Sequence, residues 1–193
     1  SQEAGITLKG RGLGVVFFDF DLDGDTDIYA TNDGMMNFLY QNQGGTFAEV
    51  GLQAGARFNR DGQAMAGMGV DMGDLDHDGH QDLVVANFSR ETNTLFHNLG
   101  QGRFEDYTTR AGLAEPSYLH LGFGLCFLDY DGDMDLDLFV ANGHVSDRIA
   151  ELDPSLSYAQ TNQLLRHDGA LRFADVSALS GPDQDGIVLR DEE

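Results

Sequence analysis

Apolar residues in this chain come in short runs, each cut off by an acidic or glycine-bearing turn. Val15–Phe18 and Leu125–Leu128 lead into such turns. Ile28-Tyr-Ala, Leu83-Val-Val-Ala and Leu138-Phe-Val-Ala follow them. These runs are rich in branched and aromatic side chains, which fit a pleated surface better than a helix. A third run follows each pair, at Asn37-Phe-Leu-Tyr, Thr94-Leu-Phe and Gln163-Leu-Leu. A fourth carries Phe47, Phe104 and Phe173, each in or near a glycine turn. The pattern predicts four short strands per unit.

The units repeat. Aspartates 19, 74 and 129 stand 55 positions apart, and so do Gly12, Gly67, Gly122 and Asn32, Asn87, Asn142. A repeat of this length with four strands suits one blade of a β-propeller, whereas β-solenoid repeats are usually shorter. The expected class is therefore all-β, with about three four-stranded blades forming an open arc. Repeat one covers about 12–56, repeat two about 67–113 and repeat three about 122–180. Closed propellers need roughly four to eight blades, so the remaining blades are expected from a longer parent chain or from another copy. Ser1-Gln-Glu-Ala-Gly5 resembles Thr108-Thr-Arg-Ala-Gly112 and reads as the tail of a preceding unit. The third unit carries an insertion over 143–163, between Asn142 and Leu164. It predicts a surface excursion in which Asp147 caps a short helix bearing Ile149 and Leu152, stopped near Pro154.

Each acidic turn has the form Asp-x-Asp-x-Asp-x-x-x-Asp: Asp19, Asp21, Asp23, Asp27; Asp74, Asp76, Asp78, Asp82; Asp129, Asp131, Asp133, Asp137. Four carboxylates on nine residues repel one another unless a cation sits among them. Calcium takes six to eight oxygens in flexible geometry, and position seven of the loop, Asp25, His80 or Asp135, can add a backbone carbonyl. Gly24 and Gly79 at position six permit a sharp bend. Magnesium demands stricter geometry. Zinc wants His or Cys, of which the spacing shows no cluster. An EF-hand needs Glu at position twelve. Here that position is Ala30, Val85 or Val140. Plain acidic surface turns are the bland alternative; three in register argue against them. Two to three calcium ions are expected. Met134 stands where the third loop should have its glycine, which predicts a third site roughly five- to thirty-fold weaker from a strain of about 1–2 kcal/mol.

Composition narrows the function. The formal charge of −22 opposes nucleic-acid and anionic-lipid binding. With 13 Phe and 6 Tyr, the chain has the aromatics that disordered acidic chains lack. No apolar stretch reaches membrane-spanning length, so no membrane insertion is expected. Cys126 allows no internal disulfide and lies in an apolar run, which predicts a core position. The chain opens on Ser1 with no visible signal peptide, consistent with an upstream segment lying outside it.

The Asp loops, the Gly-x-Gly preceding them (Gly12/Gly14, Gly67/Gly69, Gly122/Gly124) and the Phe-x-(Glu/Asp) pattern near each unit's end resemble FG-GAP and VCBS repeats. In integrin α-subunits such repeats form a seven-bladed propeller with calcium between strands. A closer resemblance is to the cartilage acidic protein group, VCBS-repeat proteins that carry an ASPIC/UnbV domain. Asp137-Leu-Phe-Val-Ala-Asn-Gly-His-Val145 and Tyr158-Ala-Gln160 carry that likeness. The resemblance covers nearly the whole chain. It implies an extracellular, calcium-binding adhesion or ligand-binding scaffold. Met134 departs from the pattern, and no ASPIC/UnbV domain is evident after Gly181.

Catalytic signals are missing from the sequence. Gly10-x-Gly12-x-Gly14 precedes a strand, whereas a dinucleotide loop follows one. No Gly-x-Ser-x-Gly elbow occurs. The aspartate pairs that would suggest a glycosidase belong to the loops. His144 with Asp147 is the one dyad, and a local turn contact explains it. The expected function is a non-enzymatic scaffold for a protein or carbohydrate ligand, secreted, extracellular or periplasmic. The alternative is the propeller portion of a larger secreted enzyme of the polysaccharide lyase or phospholipase type.

Overall fold

The structure, a computed structural model, describes residues 3–179. The stretch after Gly181 and the first two residues lie outside them. Blade one holds β1 (Gly12–Phe18), β2 (Asp27–Asn32), β3 (Phe38–Asn42) and β4 (Phe47–Glu49), followed by the one-turn helix α1 (Gly51–Ala54). Blade two holds β5 (Val70–Gly73), β6 (Asp82–Val85), β7 (Thr94–Asn98) and β8 (Phe104–Asp106). Two one-turn helices follow it, α2 (Thr108–Ala111) and α3 (Ala114–Ser117). Blade three holds β9 (Gly122–Leu128), β10 (Asp137–Asn142), β11 (Gln163–His167) and β12 (Phe173–Asp175). The helix α4 (Ile149–Leu152) lies between β10 and β11, and a 3-10 turn at Ser177–Leu179 closes the unit.

Each blade is an antiparallel meander in chain order. Its first hairpin closes on the acidic loop: Phe18 pairs with Asp27, Gly73 with Asp82 and Leu128 with Asp137. Blade two is sandwiched between the others, which explains its second strand. Leu83 and Val85 join Phe18, Phe20, Tyr29 and Leu39 in one core, while Val84 joins Leu138, Val140 and Leu165 in the next. All four residues of β6 are buried. Both faces are covered, so hydrophobicity is continuous rather than alternating. Each such aliphatic side chain contributes about 1.5–3 kcal/mol of burial.

The outer faces of the arc differ. Leu13, Val15 and Phe17 on β1 are about half exposed. On blade three, Cys126 is exposed, while its neighbours Leu125 and Phe127 turn inward to the shared core. This corrects the expected core position of Cys126: the run alternates across a strand with one face uncovered.

Consecutive units are latched. Gly55 and Gly112, left-handed at φ 82° and 81°, end α1 and α2. A β-carbon on Gly55 would stand 2.6 Å from the Phe104 carbonyl oxygen, and one on Gly112 2.9 Å from that of Phe173. The tail of each unit therefore lies against the fourth strand of the next. Gly5 takes the same place against Phe47, 2.3 Å from its oxygen by the same measure, and the Phe47 N–H donates to the Ala4 carbonyl at 2.8 Å.

At the end of each blade opposite the acidic loop, an asparagine pair closes the β2–β3 connection. The N–H groups of Asn32, Asn87 and Asn142 donate to the side chains of Asn37, Asn93 and Asn162. The insertion of blade three is thus seated on the same clamp as the short loops. Its helix forms at Ile149–Leu152 but is preceded by Arg148 with no side-chain cap, so Asp147 does not cap it. The His144 ring accepts from the Ser146 N–H at 3.1 Å and packs edge-on to Phe88, in place of the expected Asp147 contact.

Candidate metal centre

The three loops share one hydrogen-bond scheme. Position one turns its carboxylate inward: Asp19 accepts from the N–H groups of Asp23 and Gly24, and Asp74 from those of Asp78 and Gly79. Asp129 accepts from Gly132, Asp133 and Met134. Position five closes a small turn, with Asp23, Asp78 and Asp133 accepting from the N–H two residues on. At position three, Asp76 and Asp131 also accept from the loop backbone, from the N–H groups of Asp78 and Asp133, while Asp21 bonds to the Gln41 amide.

Position nine has a second role that the sequence reading missed. Asp27, Asp82 and Asp137 are essentially buried. Each accepts one backbone N–H from position two, Phe20, Leu75 or Tyr130, and another from the end of the third strand, Asn42, Asn98 or His167. The carboxylate is a staple between loop and strand. In blades one and two the strand-end asparagine adds to it. The Asn42 amide donates to the Thr26 carbonyl, and the Asn98 amide to those of Gln81 and, across the blades, Phe20. In blade three His167 stands there, stacked on Phe173, with neither ring nitrogen partnered among the described residues. Asn42 and Asn98 stand 56 positions apart, one off the 55-residue register of the loops, so the repeat spacing alone did not align them.

Backbone conformation explains the glycines. Position six is left-handed in all three loops, at φ 93° in Gly24, 88° in Gly79 and 77° in Met134. Position four is left-handed too, at 59° in Leu22, 59° in His77 and 80° in Gly132. Every loop therefore has two such residues and one glycine. Loop three has moved its glycine from position six to position four.

Carboxylate oxygens converge in each loop: Asp19, Asp21 and Asp27 in the first, Asp74, Asp76 and Asp78 in the second, Asp129, Asp131 and Asp137 in the third. In loop two, Asp82 is drawn to His97 instead, whose Nδ1 lies 2.9 Å from it. The side chains at position seven point elsewhere. Asp25 accepts from the Gly44 N–H, His80 lies against Gly100, and Asp135 meets His77 of the neighbouring loop at 3.1 Å. Only their carbonyls are then available to a loop centre.

The donor set suits a hard dication. Asp21 Oδ1 is buried with no hydrogen-bond partner among the described residues, while Oδ2 accepts from the Gln41 amide at 2.6 Å. An orphaned buried carboxylate oxygen is costly unless a cation meets it. Electrostatics agree. Burial pushes the Asp27 carboxyl up, the Asn42 and Phe20 N–H groups pull it back, and the charges of Asp21 and Asp23 raise it again. Burial and then the charges of Asp78 and Asp82 raise Asp76, and burial with Asp133 and Asp137 raises Asp131.

Two stretches, 19–85 and 74–140, match the FG-GAP-like repeat model. Cartilage acidic protein 1 of Mus musculus is 29% identical over 145 residues, and that of Xenopus tropicalis 29% over 146. Each alignment covers 74% of this chain and 21% of the relative, so the chain spans about a fifth of the length of the curated relatives it matches. A solved structure of an Agrocybe aegerita lectin, described as recognising non-reducing terminal N-acetylglucosamine, aligns with a TM-score of 0.42 and 19% identity. It covers 83% of this chain and 36% of that one.

Proposed function

This chain belongs to the FG-GAP-like repeat family, and on that footing we propose that it is a calcium-stapled, non-catalytic propeller segment serving as a ligand-binding scaffold outside the cytoplasm. The observation that carries the reading is the buried, unpartnered Asp21 oxygen at the convergence of three carboxylates, within a loop scheme repeated in all three blades. Asp19, Asp21 and Asp27 would hold the ion in blade one, with the Asp25 carbonyl. Asp74, Asp76 and Asp78 with the His80 carbonyl would hold it in blade two, and Asp129, Asp131 and Asp137 with the Asp135 carbonyl in blade three. Bound calcium supplies positive charge that relieves repulsion within each loop. The chain's own residues do the rest: position one shapes the turn and position nine ties it to the sheet.

Loops without a position-twelve Glu fill best where calcium is near millimolar, which supports a secreted or periplasmic setting. No helix of the described residues is long and apolar enough to cross a membrane. A cleft beside loop one, lined by Asp21, Gln41, Gln53, Gln101 and Arg103, offers polar groups to a protein or carbohydrate ligand. The uncovered faces of blades one and three fit further blades, from a parent chain or a second copy. Calorimetric titration of chelator-stripped protein tests the reading. It should show heat at two to three sites and a rise in melting temperature; neither would appear if the loops are plain acidic turns. Hydrolysis or cleavage of a polysaccharide or phospholipid, abolished by one substitution outside the loops, would replace it with the enzyme reading.

A further inference from the structure

The two junctions between blades are built alike but filled differently. At the junction of blades one and two, the turn before β8 carries Gln101 and Gly102, both left-handed, at φ 54° and 69°. At the junction of blades two and three, the turn before β12 carries Ala170 and Leu171 in the same conformation, at φ 51° and 56°. Gly102 stands two residues before Phe104 as Leu171 does before Phe173, so the two are equivalent. Leu171 is buried in the core it shares with Leu75 and Ala111. Gly102 has no side chain to match it. A β-carbon there would stand 3.3 Å from the Phe20 ring and 3.8 Å from the Asp21 β-carbon. The place that Leu171 fills is left at the first junction as a cleft of about 340 Å³, within the roughly 300–1,000 Å³ usual for small-molecule pockets.

The cleft joins apolar and polar lining. Phe20, Val50 and Ala54 supply the apolar part, with Phe20 stacked on Phe104. Gln53, Gln101 and Arg103 are exposed, and their side chains make no hydrogen bond or ion pair among the described residues. By contrast, Arg57, Arg90, Arg110, Arg148 and Arg166 each pair with a carboxylate. Gln41 is held in place, its amide donating to Asp21 and its oxygen accepting from Gln43. At the next junction the places of Gln41, Val50 and Gln53 are taken by His97, Tyr107 and Arg110. These pack on one another, His97 edge-on to Tyr107 at 5.6 Å and Arg110 over the same ring at 5.4 Å. The second junction satisfies its side chains internally; the first leaves polar groups open to a ligand.

We propose that this cleft binds a neutral sugar, and that Leu171 and Tyr107 exclude one from the next junction. An amide presents a donor and an acceptor at one tip, as a sugar hydroxyl does, and the Arg103 guanidinium presents a fork of donors to adjacent hydroxyls. The apolar lining suits the C–H face of a sugar ring. Charge selects neutrality: Arg103 opposes a cationic ligand, while Asp21 and the chain's net charge of −22 oppose an anionic one. A peptide has no ladder to join here, because β3 is already paired on both edges, by β2 and β4. The proposal rests on the reading of the chain as a ligand-binding scaffold, and it names the class of ligand and its place.

Nitrogen-15-labelled chain in excess calcium, titrated with maltose, lactose, mannobiose and diacetylchitobiose, tests it through the side-chain amide signals of Gln41, Gln53 and Gln101. At least one of these neutral disaccharides should shift all three signals and saturate at millimolar concentration. Gly102→Leu puts into the cleft the side chain that the next junction has at Leu171, and should abolish the shifts. That variant carries left-handed strain, so Gln53→Ala, which trims an exposed side chain, stands beside it. It should weaken binding about five- to tenfold. Gln63→Ala, in the linker outside the cleft, should leave binding as it was. The proposal is overturned by no shift with any of the four sugars, by shifts that survive a folded Gly102→Leu, or by unchanged affinity in Gln53→Ala. Equal weakening by Gln63→Ala overturns it too, and tighter binding of digalacturonate than of any neutral sugar overturns the neutral class. Calorimetry of calcium on the same protein keeps the two readings apart. Calcium heat without sugar binding leaves the calcium-stapled propeller standing, whereas sugar binding without calcium heat at any loop removes the calcium part alone.

Discussion

Loops one and two put glycine at position six and a side chain at position four; loop three does the reverse. Judged by position six alone, the third loop is strained, with Met134 in a left-handed conformation at φ 77°. Judged by both positions, the loops are alike, because Leu22 and His77 bear in their loops what Met134 bears in the third. The expected strain at Met134 is present, but the weaker third site no longer follows from it. What separates loop three is its brace: His167 where the others have an asparagine that ties the strand end to the loop. A loop's fitness for an ion depends on its total of left-handed residues and on its attachments, and a motif position read singly shows neither.

The largest test removes the shared staple. Asp27→Ala, Asp82→Ala and Asp137→Ala each leave two buried N–H donors without an acceptor, at roughly 1–3 kcal/mol apiece. A loss of about 3 kcal/mol or more is expected for each in denaturant unfolding, metal-free. A negligible loss for Asp137→Ala alone would show that blade three is held differently.

Next comes the glycine exchange. Gly24, Gly79 and Gly132 have open space where a β-carbon would go, so alanine there tests backbone conformation alone. Each should lose about 1–2 kcal/mol. Met134→Gly and Leu22→Gly should each gain a similar amount, less about 0.5–1 kcal/mol of unfolded-chain entropy. A gain for one and not the other breaks the equivalence of the two positions.

Acidity sharpens the electrostatic side. Asp27, Asp76 and Asp131 have folded-state values above the ordinary 3.8. The folded chain then binds more protons than the unfolded one above that pH. Their contribution is present at low pH and is lost as pH rises through the raised values. His97, also raised, chiefly by its bond to Asp82, adds stability that is full below 6.5 and lost above its folded value. In chelator, the melting temperature should fall as pH rises past 3.8 and again past 6.5, and calcium should abolish most of the fall. A flat profile would show that the loops are relaxed without an ion.

The smallest effects separate the loops themselves. His167→Asn should restore the missing brace and stabilise blade three by about 1 kcal/mol. Calcium affinities of loops one and three should then agree within about tenfold, a difference of 1.4 kcal/mol, by titration of protein carrying one intact loop at a time. A third loop weaker than that even with His167→Asn would return the decisive role to Met134.

Much of this was legible in the chain. Four strands per unit followed from short branched and aromatic runs, and the register followed from Asp19, Asp74 and Asp129. The acidic loops were plain because ligand spacing is local. Long-range facts were not. Nothing near Cys126 says that one face of β9 is uncovered, because burial depends on a neighbouring blade. The partners of Asp27 at Phe20 and Asn42 lie on different elements, and only the fold brings them together. The pairing of His97 with Asp82 was hidden for the same reason, since it forms across a sheet and leaves no spacing signal along the chain. Asp147 failed as a cap because the helix begins one residue later.

The tail of each unit lies on the fourth strand of the next, so the structural module is offset from the repeat in the sequence. A gene that grows by copying whole repeats would carry each latch with the strand set before it and deliver it to whichever set comes after. New neighbours can then be joined without a new joint evolving, provided Phe47, Phe104 or Phe173 offers its carbonyl to an incoming glycine. Crossovers between homologous genes would be tolerated within the linkers after Gly55 and Gly112, and would sever a latch if placed before them.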